Sequence, residues 1–454
     1  MAKSTKPAYC IIGAGAAGLA ALKALVSAGH DVTCFERGDR IGGHWHTDYE
    51  ALHLITPRDS SGFLDSRMPD TYPMFPSRDQ MRDYIVDYGI SNGLTDHIRF
   101  STEVVRTRPV NGDSGQGWLV TTSDGSTQRF DAVIVANGHL WDPDLPALAE
   151  GFTGVSLHSS EYTNTEDLKG RRVLVVGAGN SGCDLAVDAA QAGFTTSISI
   201  RGGRVYQPKT LYGRPRSELK LVAKLPVWFQ ERVLRELVRV ALGNPESHRG
   251  LPRPASRNLF KNLPVVNSLL TYWIDHGRIR VTGEVVAING RAVSFADGTT
   301  EDFDSILWAS GFKVTLPFLE PSAVETSRGV PLRVAGGILP LNASRLFFVG
   351  LIAPRGPQLP VYSAQSELLL ELLDLQEKVT EPLAEHFGGA QAATDQIDHL
   401  RHIWEKDMAR ARRLVRRLRR RPPAAGALNQ PVHSAVSDSA ASSAPRVDRT
   451  AEGP

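Results

Sequence analysis

An α/β fold built from two dinucleotide-binding domains, one inserted in the other, follows from three observations in this 454-residue chain. An apolar strand runs into Gly13-Ala14-Gly15-Ala16-Ala17-Gly18 and an alanine-rich helix, and 164 residues later another runs into Gly177-Ala178-Gly179-Asn180-Ser181-Gly182. The same offset carries Ala28-Gly29-His30 onto Ala192-Gly193-Phe194, so the repeat extends to where each helix turns back toward its sheet. Two further apolar runs, at 130–136 and 303–309, both enter on Phe-Asp and leave on a small residue and a glycine, Gly138 and Gly311. In each fingerprint the first glycine permits the tight turn, the second lets a pyrophosphate approach the backbone at the helix N-terminus, and the third lets helix and strand pack closely. One such motif is weak, but two in register, each between strand and helix, specify two Rossmann-like units.

The first unit occupies residues 8–36 and ends its second strand on Glu36-Arg37. A carboxylate there accepts hydrogen bonds from a ribose diol and repels a 2′-phosphate, so this copy suits FAD or NAD. A second glycine pair, Gly42-Gly43, precedes His44 and Trp45 and lets backbone approach the same ligand. From 94 to 136 short β segments with turns read as hairpin strands inserted in the first domain, and Val104, Ala136 and Gly138 join the candidate cofactor contacts there.

The second unit replaces the acid with Ile200 and follows it with Arg201. A neutral side chain removes the repulsion and a guanidinium pairs with phosphate through charge-assisted hydrogen bonds, so this copy suits NADPH. Within an insert at about 213–262, Trp228, Phe229, Val233, Leu234, Leu237, Val238, Ala241 and Leu242 recur at helical spacing. That stripe reads as core, or as a cover over a substrate site. Strands resume at 277–288, Gly311 marks a second crossing between domains, and the chain returns to the first domain through LFFVGL and a helix carrying Gln365. The expected division is 1–155 and 311–385 for the first domain, 156–310 for the second, 386–421 for a basic helix and 422–454 for a disordered tail rich in Ala, Pro and Ser.

Net charge is +2, yet eight arginines fall within 410–421, so the other 43 basic and 49 acidic residues leave the body at −6. Cys10, Cys34 and Cys183 form no CxxC pair, which counts against a disulfide reductase, and no metal-ligand cluster is visible. Without a run of about 18 apolar residues, the chain reads as cytoplasmic and without a transmembrane anchor. The arginine-rich stretch lacks interleaved aromatics, so no nucleic-acid partner is expected, and the sequence leaves room for a homodimer.

Between the two fingerprints, Phe152, Gly154, His158 and Tyr162 complete a Phe-x-Gly-x-x-x-His-x-x-x-Phe/Tyr pattern. With GAGAAG, GGHW, ANGH, GAGNSG and ASGF in order, the sequence resembles the flavin-containing monooxygenases, the class B flavoprotein monooxygenases. The companion Baeyer–Villiger family ends this motif in Trp, so Tyr162 favours the first. The resemblance implies that bound NADPH reduces FAD, that NADP+ stays, and that reduced flavin traps dioxygen as a C4a-hydroperoxide. That species oxygenates nitrogen or sulfur of a small organic substrate. Such chemistry asks the protein to exclude water and hold its partners fixed. His158 is then a cofactor-positioning residue, and Arg58, His158 and Asn180 are the candidate catalytic side chains. One departure is the absence of Asn between residues 50 and 80, where many members carry one near the flavin. This chain reads LHLITPRDSSGF, closer to the plant and bacterial branch, and Arg58 is the expected substitute beside flavin or nicotinamide ribose. Two other functions fit the same residues: Baeyer–Villiger oxygenation of ketones, and an NADPH-sensing flavoprotein without turnover.

Overall fold

A computed structural model describes residues 6–215, 227–243, 250–256, 258 and 263–420. Two five-stranded parallel sheets organise them. The first contains β1 (Ala8–Ile12), β2 (Asp31–Phe35), β3 (Ile98–Arg99), β7 (Ala132–Val135) and β16 (Leu346–Phe348), in the order β16-β7-β1-β2-β3. Helix α1 (Ala16–Ser27) joins β1 to β2, α2 (Arg78–Ser91) precedes β3, and an antiparallel meander, β4 (Val104–Val110), β5 (Asp113–Thr122) and β6 (Thr127–Phe130), leads into β7. Helix α2 starts at a reciprocal cap in which Gln80 N–H donates to Ser77 Oγ at 3.3 Å and Ser77 N–H to Gln80 Oε1 at 3.0 Å.

The second sheet repeats this plan with β8 (Val155–His158), β9 (Arg172–Val176), β10 (Thr195–Ser199), β11 (Ile279–Thr282) and β15 (Ser305–Trp308), ordered β8-β15-β9-β10-β11. Its fingerprint helix is α3 (Asn180–Gln191), and α5 (Leu269–Asp275) precedes β11. A second meander, β12 (Val285–Asn289), β13 (Ala292–Phe295) and β14 (Thr300–Asp302), leads into β15. The two sheets correspond strand for strand, but the outer strand comes last in the first and first in the second. Strands β7 and β15 are buried along their whole length because both faces are covered, as parallel sheets require.

The repeated Phe-Asp now has a cause. Asp131 Oδ2 accepts the N–H of Ala8 at 2.9 Å, and Asp304 Oδ2 accepts those of Arg171 and Arg172 at 2.8 and 3.0 Å. Each carboxylate caps the entry of the neighbouring central strand, while Phe130 and Phe303 are buried beneath. In the insert, the expected amphipathic helix is α4 (Val227–Leu242), with Val238 buried; parts of 213–262 lie outside the described residues.

The C-terminal expectation needs correction. The basic helix does not begin at 386. Residues 383–399 form short turns and a bridge around Gly388 (φ +102°) and Gly389 (φ +50°), and α7 spans Arg401–Arg420. Nor is it separate, since Trp404, Met408, Ala411 and Val415 pack into the first domain's core beside α6 (Leu359–Gln376) and α1. The expected tail at 422–454 lies outside the described residues.

Candidate active site between two nucleotide-binding turns

The first turn is closed where packing requires it and open where a ligand would lie. A Cβ on Gly13 (φ +101°) would stand 2.8 Å from the Ala136 carbonyl oxygen, and one on Gly18 only 1.8 Å from that of Gly13. A Cβ on Gly15 would meet nothing nearer than Gly43 Cα at 3.9 Å. Here Ala16 and Ala17 begin α1, so its free N–H groups face the same opening. Glu36 stands at the mouth, its Oε2 accepting Ala14 N–H at 2.7 Å and Oε1 accepting Gly38 N–H at 2.8 Å. Beside it, the Arg37 guanidinium lies 4.6 Å over the Trp141 ring. Behind the turn come Gly43, then Trp45 stacked on His44, whose Nδ1 is 2.6 Å from Asp48 Oδ2. Val104 is buried in the cluster containing Phe35 and Trp118.

Gln365 closes this site from the far end of the chain. Fully buried, it accepts Gly350 N–H at 3.0 Å and donates to Gly336 O at 2.9 Å. A Cβ on Gly350 would come within 2.7 Å of Ala17 Cβ, so Gln365 holds the returning chain against the head of α1.

The second turn has the same construction. A Cβ on Gly177 (φ +113°) would lie 2.4 Å from Ala309 O and one on Gly182 2.0 Å from Gly177 O, whereas nothing lies within 4 Å of a Cβ on Gly179. Ile200 is buried and Arg201 is 83% exposed, its nearest carboxylate Glu284 at 3.9 Å, so the guanidinium is available to a phosphate. Asn180 Oδ1 accepts Val266 N–H at 2.9 Å, tying the start of α3 to the strand after the insert. Ser181 lies beside the Tyr49 hydroxyl.

His158 stands at the joint. The ring is fully buried at the end of β8, edge-on to Phe312, with Nε2 3.0 Å from Gly311 O and Nδ1 near Ser160 at its Oγ (2.8 Å) and N–H (3.2 Å). A carbonyl beside Nε2 and an N–H beside Nδ1 require the Nε2-protonated neutral tautomer, and burial lowers the imidazole pKa in the same direction. The other motif residues fasten the chain on either side of it. Tyr162 donates to Asp188 Oδ2 on α3 at 2.6 Å, Phe152 packs in the core with Trp308, and a Cβ on Gly154 would meet Asp304 O at 2.4 Å. Gly138 (φ +73°) and Gly311 (φ +94°), at the two crossings, have open space where a Cβ would be.

Arg58 is bound into its own loop. Its Nη1 donates to the carbonyls of Asp70 and Tyr72, both at 2.7 Å, and its Nε to Asp59 at 2.8 Å, which fastens the loop together. Sequence reasoning missed a polar cluster at the joint. Asp184 on α3 accepts from Tyr49 (3.2 Å) and Asn267 (2.7 Å), with Lys209 and His53 close enough to act on its charge. Burial pushes its carboxyl up to about 6. Lys209 lies 5.6 Å over the Phe75 ring. These residues come from five separate segments, and no local pattern announces them. His139, after β7, is another; burial pushes its imidazole down to about 4, beside the Gly350 backbone.

Comparison with known proteins places this geometry. The model of the flavin-binding monooxygenase-like family matches residues 6–384. Flavin-containing monooxygenase 5 of Oryctolagus cuniculus is 30% identical over 440 residues, covering 87% of this chain and 81% of its own. Dimethylaniline monooxygenase [N-oxide-forming] 2 of Macaca mulatta is 32% identical over 389 residues, covering 78% and 71%. Among solved structures, cyclohexanone monooxygenase from Rhodococcus sp. Phi1 bound to NADP+ shares the fold, with a TM-score of 0.69 at 16% identity over 92% of this chain and 98% of that one. Two cradles shaped for nucleotides and these relatives lead to one conclusion: the chain belongs to the flavin-binding monooxygenase-like family and is an NADPH-dependent, FAD-containing monooxygenase.

Proposed function

We propose that the enzyme oxygenates nitrogen or sulfur in a small organic substrate, with FAD in the first cradle and NADPH in the second. The observation that carries the cofactor assignment is the contrast at equivalent strand ends, Glu36 against buried Ile200 with exposed Arg201. Choice of heteroatom is supported by the N-oxide-forming relative and by Tyr162 closing the identifying motif.

When bound, NADPH supplies a hydride and the flavin carries electrons on to dioxygen. The chain's residues bind, orient and shield. Gly13, Gly15, Gly18, Ala14, Ala16 and Ala17 admit the first pyrophosphate, and Glu36 offers its carboxylate to the ribose. Gly177, Gly179, Gly182 and Ser181 admit the second, and Arg201 pairs with its 2′-phosphate. His158 is a positioning residue: through Gly311 O it fixes the crossing between the domains, hence how the two cofactors meet. Being neutral and held at both nitrogens, it is no ready proton donor at neutral pH. Asn180 ties the strand after the insert to α3, and Arg58 fastens its own loop. Dimethylaniline, thioanisole and cyclohexanone, each incubated with NADPH and the holoenzyme, test the reading by product analysis. N-oxide and sulfoxide are expected; lactone alone would replace it with ketone oxygenation.

A further inference from the structure

Helix α7 carries charge that neither fold nor catalysis uses. Trp404, Met408, Ala411 and Val415 bury its inner face, and on one flank Arg412 and Arg419 pair with Glu367 and Asp374 of α6, both at 2.7 Å. Diametrically opposite the buried side lie Lys406, Arg410, Arg413, Arg417 and Arg420, all exposed, with exposed Arg416 beside them. At 100° per residue those five cations fall within an arc of roughly 80°, and at 1.5 Å per residue they extend about 21 Å. Among the described residues none of Arg410, Arg413, Arg416, Arg417 and Arg420 has a hydrogen bond or ion pair, and Glu405 is the one exposed acid on the helix.

A solvated helix end does not account for this row. Cations favour the last turn through the helix dipole, but the row begins three turns earlier. Spacings of three and four residues set like charges side by side, which repel and weaken the helix. The rest of the chain sums to −6, so the molecule has one strongly positive edge on an acidic body.

The geometry points to this edge as a docking surface for a lipid bilayer carrying anionic headgroups, held by charge and without insertion. Amphipathic helices that enter a membrane present their apolar face to it. Here that face is built into the first domain, so only the cationic row is available. A convex, straight row suits a flat layer of phosphates. A nucleic-acid major groove admits a whole helix, whereas α7 lies flush with α6 and frees a narrow arc without aromatic or amide side chains. Among the described residues no helix is long and apolar enough to cross a membrane, so the association expected is peripheral and reversible.

The test is co-sedimentation of the full-chain holoenzyme with vesicles of phosphatidylcholine alone or mixed with phosphatidylglycerol. Binding is expected only to the mixed vesicles and is expected to disappear in about 1 M salt, where the screening length falls to about 3 Å. The variant R413Q/R417Q/R420Q should partition about a hundredfold more weakly, three surface cations each contributing several-fold. R108Q/R171Q/R278Q, which removes the same charge from exposed positions elsewhere, should partition within a few-fold of wild type. Equal partition of the two triple variants, or equal binding to both vesicle types, overturns the proposal. Tighter binding to duplex DNA than to anionic vesicles overturns it as well, in favour of a nucleic-acid surface.

Discussion

The glycines of the second turn separate folding from cofactor binding, and a pair of alanine substitutions reads the separation. In Gly182→Ala the new methyl would stand 2.0 Å from the Gly177 carbonyl oxygen and 2.8 Å from its carbon. Both are backbone atoms at the foot of α3, so helix and strand must part by roughly 1 Å, a disruption in the class that costs about 4 kcal/mol or more. Gly179 has φ −78° and ψ −174°, extended backbone that alanine adopts freely, and nothing lies within 4 Å of its Cβ. Gly179→Ala should therefore leave stability within about 1 kcal/mol of wild type, the gain through the unfolded chain offsetting the poorer N-cap. Its methyl fills the side where pyrophosphate approaches, so NADPH affinity should fall at least about tenfold, or 1.4 kcal/mol. Thermal melting and NADPH titration of the oxidised holoenzyme measure the two effects independently. Flavin content should stay at the wild-type level in Gly179→Ala, because the first turn is untouched. Wild-type NADPH affinity in Gly179→Ala, or wild-type melting in Gly182→Ala, would refute the reasoning.

Other expectations are as direct. Wild type should reduce its flavin with NADPH at least about tenfold more efficiently than with NADH, and Arg201→Ala should lose most of that preference; stopped-flow reduction with both donors decides it, and equal use by wild type sinks the assignment. His158→Phe leaves Gly311 O without its donor and should cost about 1–3 kcal/mol while slowing flavin reduction more than it weakens NADPH binding; an unchanged reduction rate would deny the positioning role. Asp184, pushed up to about 6, holds its proton in the fold when the unfolded chain has lost it. Stability attributable to it therefore declines as pH rises from about 4 to 6, by up to about 3 kcal/mol, and Asp184→Asn should narrow the difference in melting temperature between pH 5 and pH 8. His139 works in the opposite direction. With its folded value pushed down to about 4, its contribution is complete above pH 6.5 and is lost as pH falls toward 4, so His139→Gln should flatten the acid limb of the stability profile.

The sequence by itself determined the two glycine-rich turns and the difference in charge between their strand ends. Their requirements are local: glycines where a Cβ collides with a carbonyl one turn away, and one side chain at a strand end that accepts or repels a phosphate. It also announced the meander strands and the amphipathic helix at Val227–Leu242, through patterns that fit within a few residues. The roles of single polar side chains were a different matter. Arg58 finds its partners 12 and 14 residues away in a folded loop, Asn180 meets Val266, and Asp184 gathers Tyr49, Asn267 and Lys209 from segments on both sides of the joint. The C-terminal helix belongs to the first domain because Trp404 and Val415 find a core to enter, which no periodicity names. Local sterics and charge type are written in the order of residues, but hydrogen bonds and burial between distant segments exist only once the chain has closed on itself.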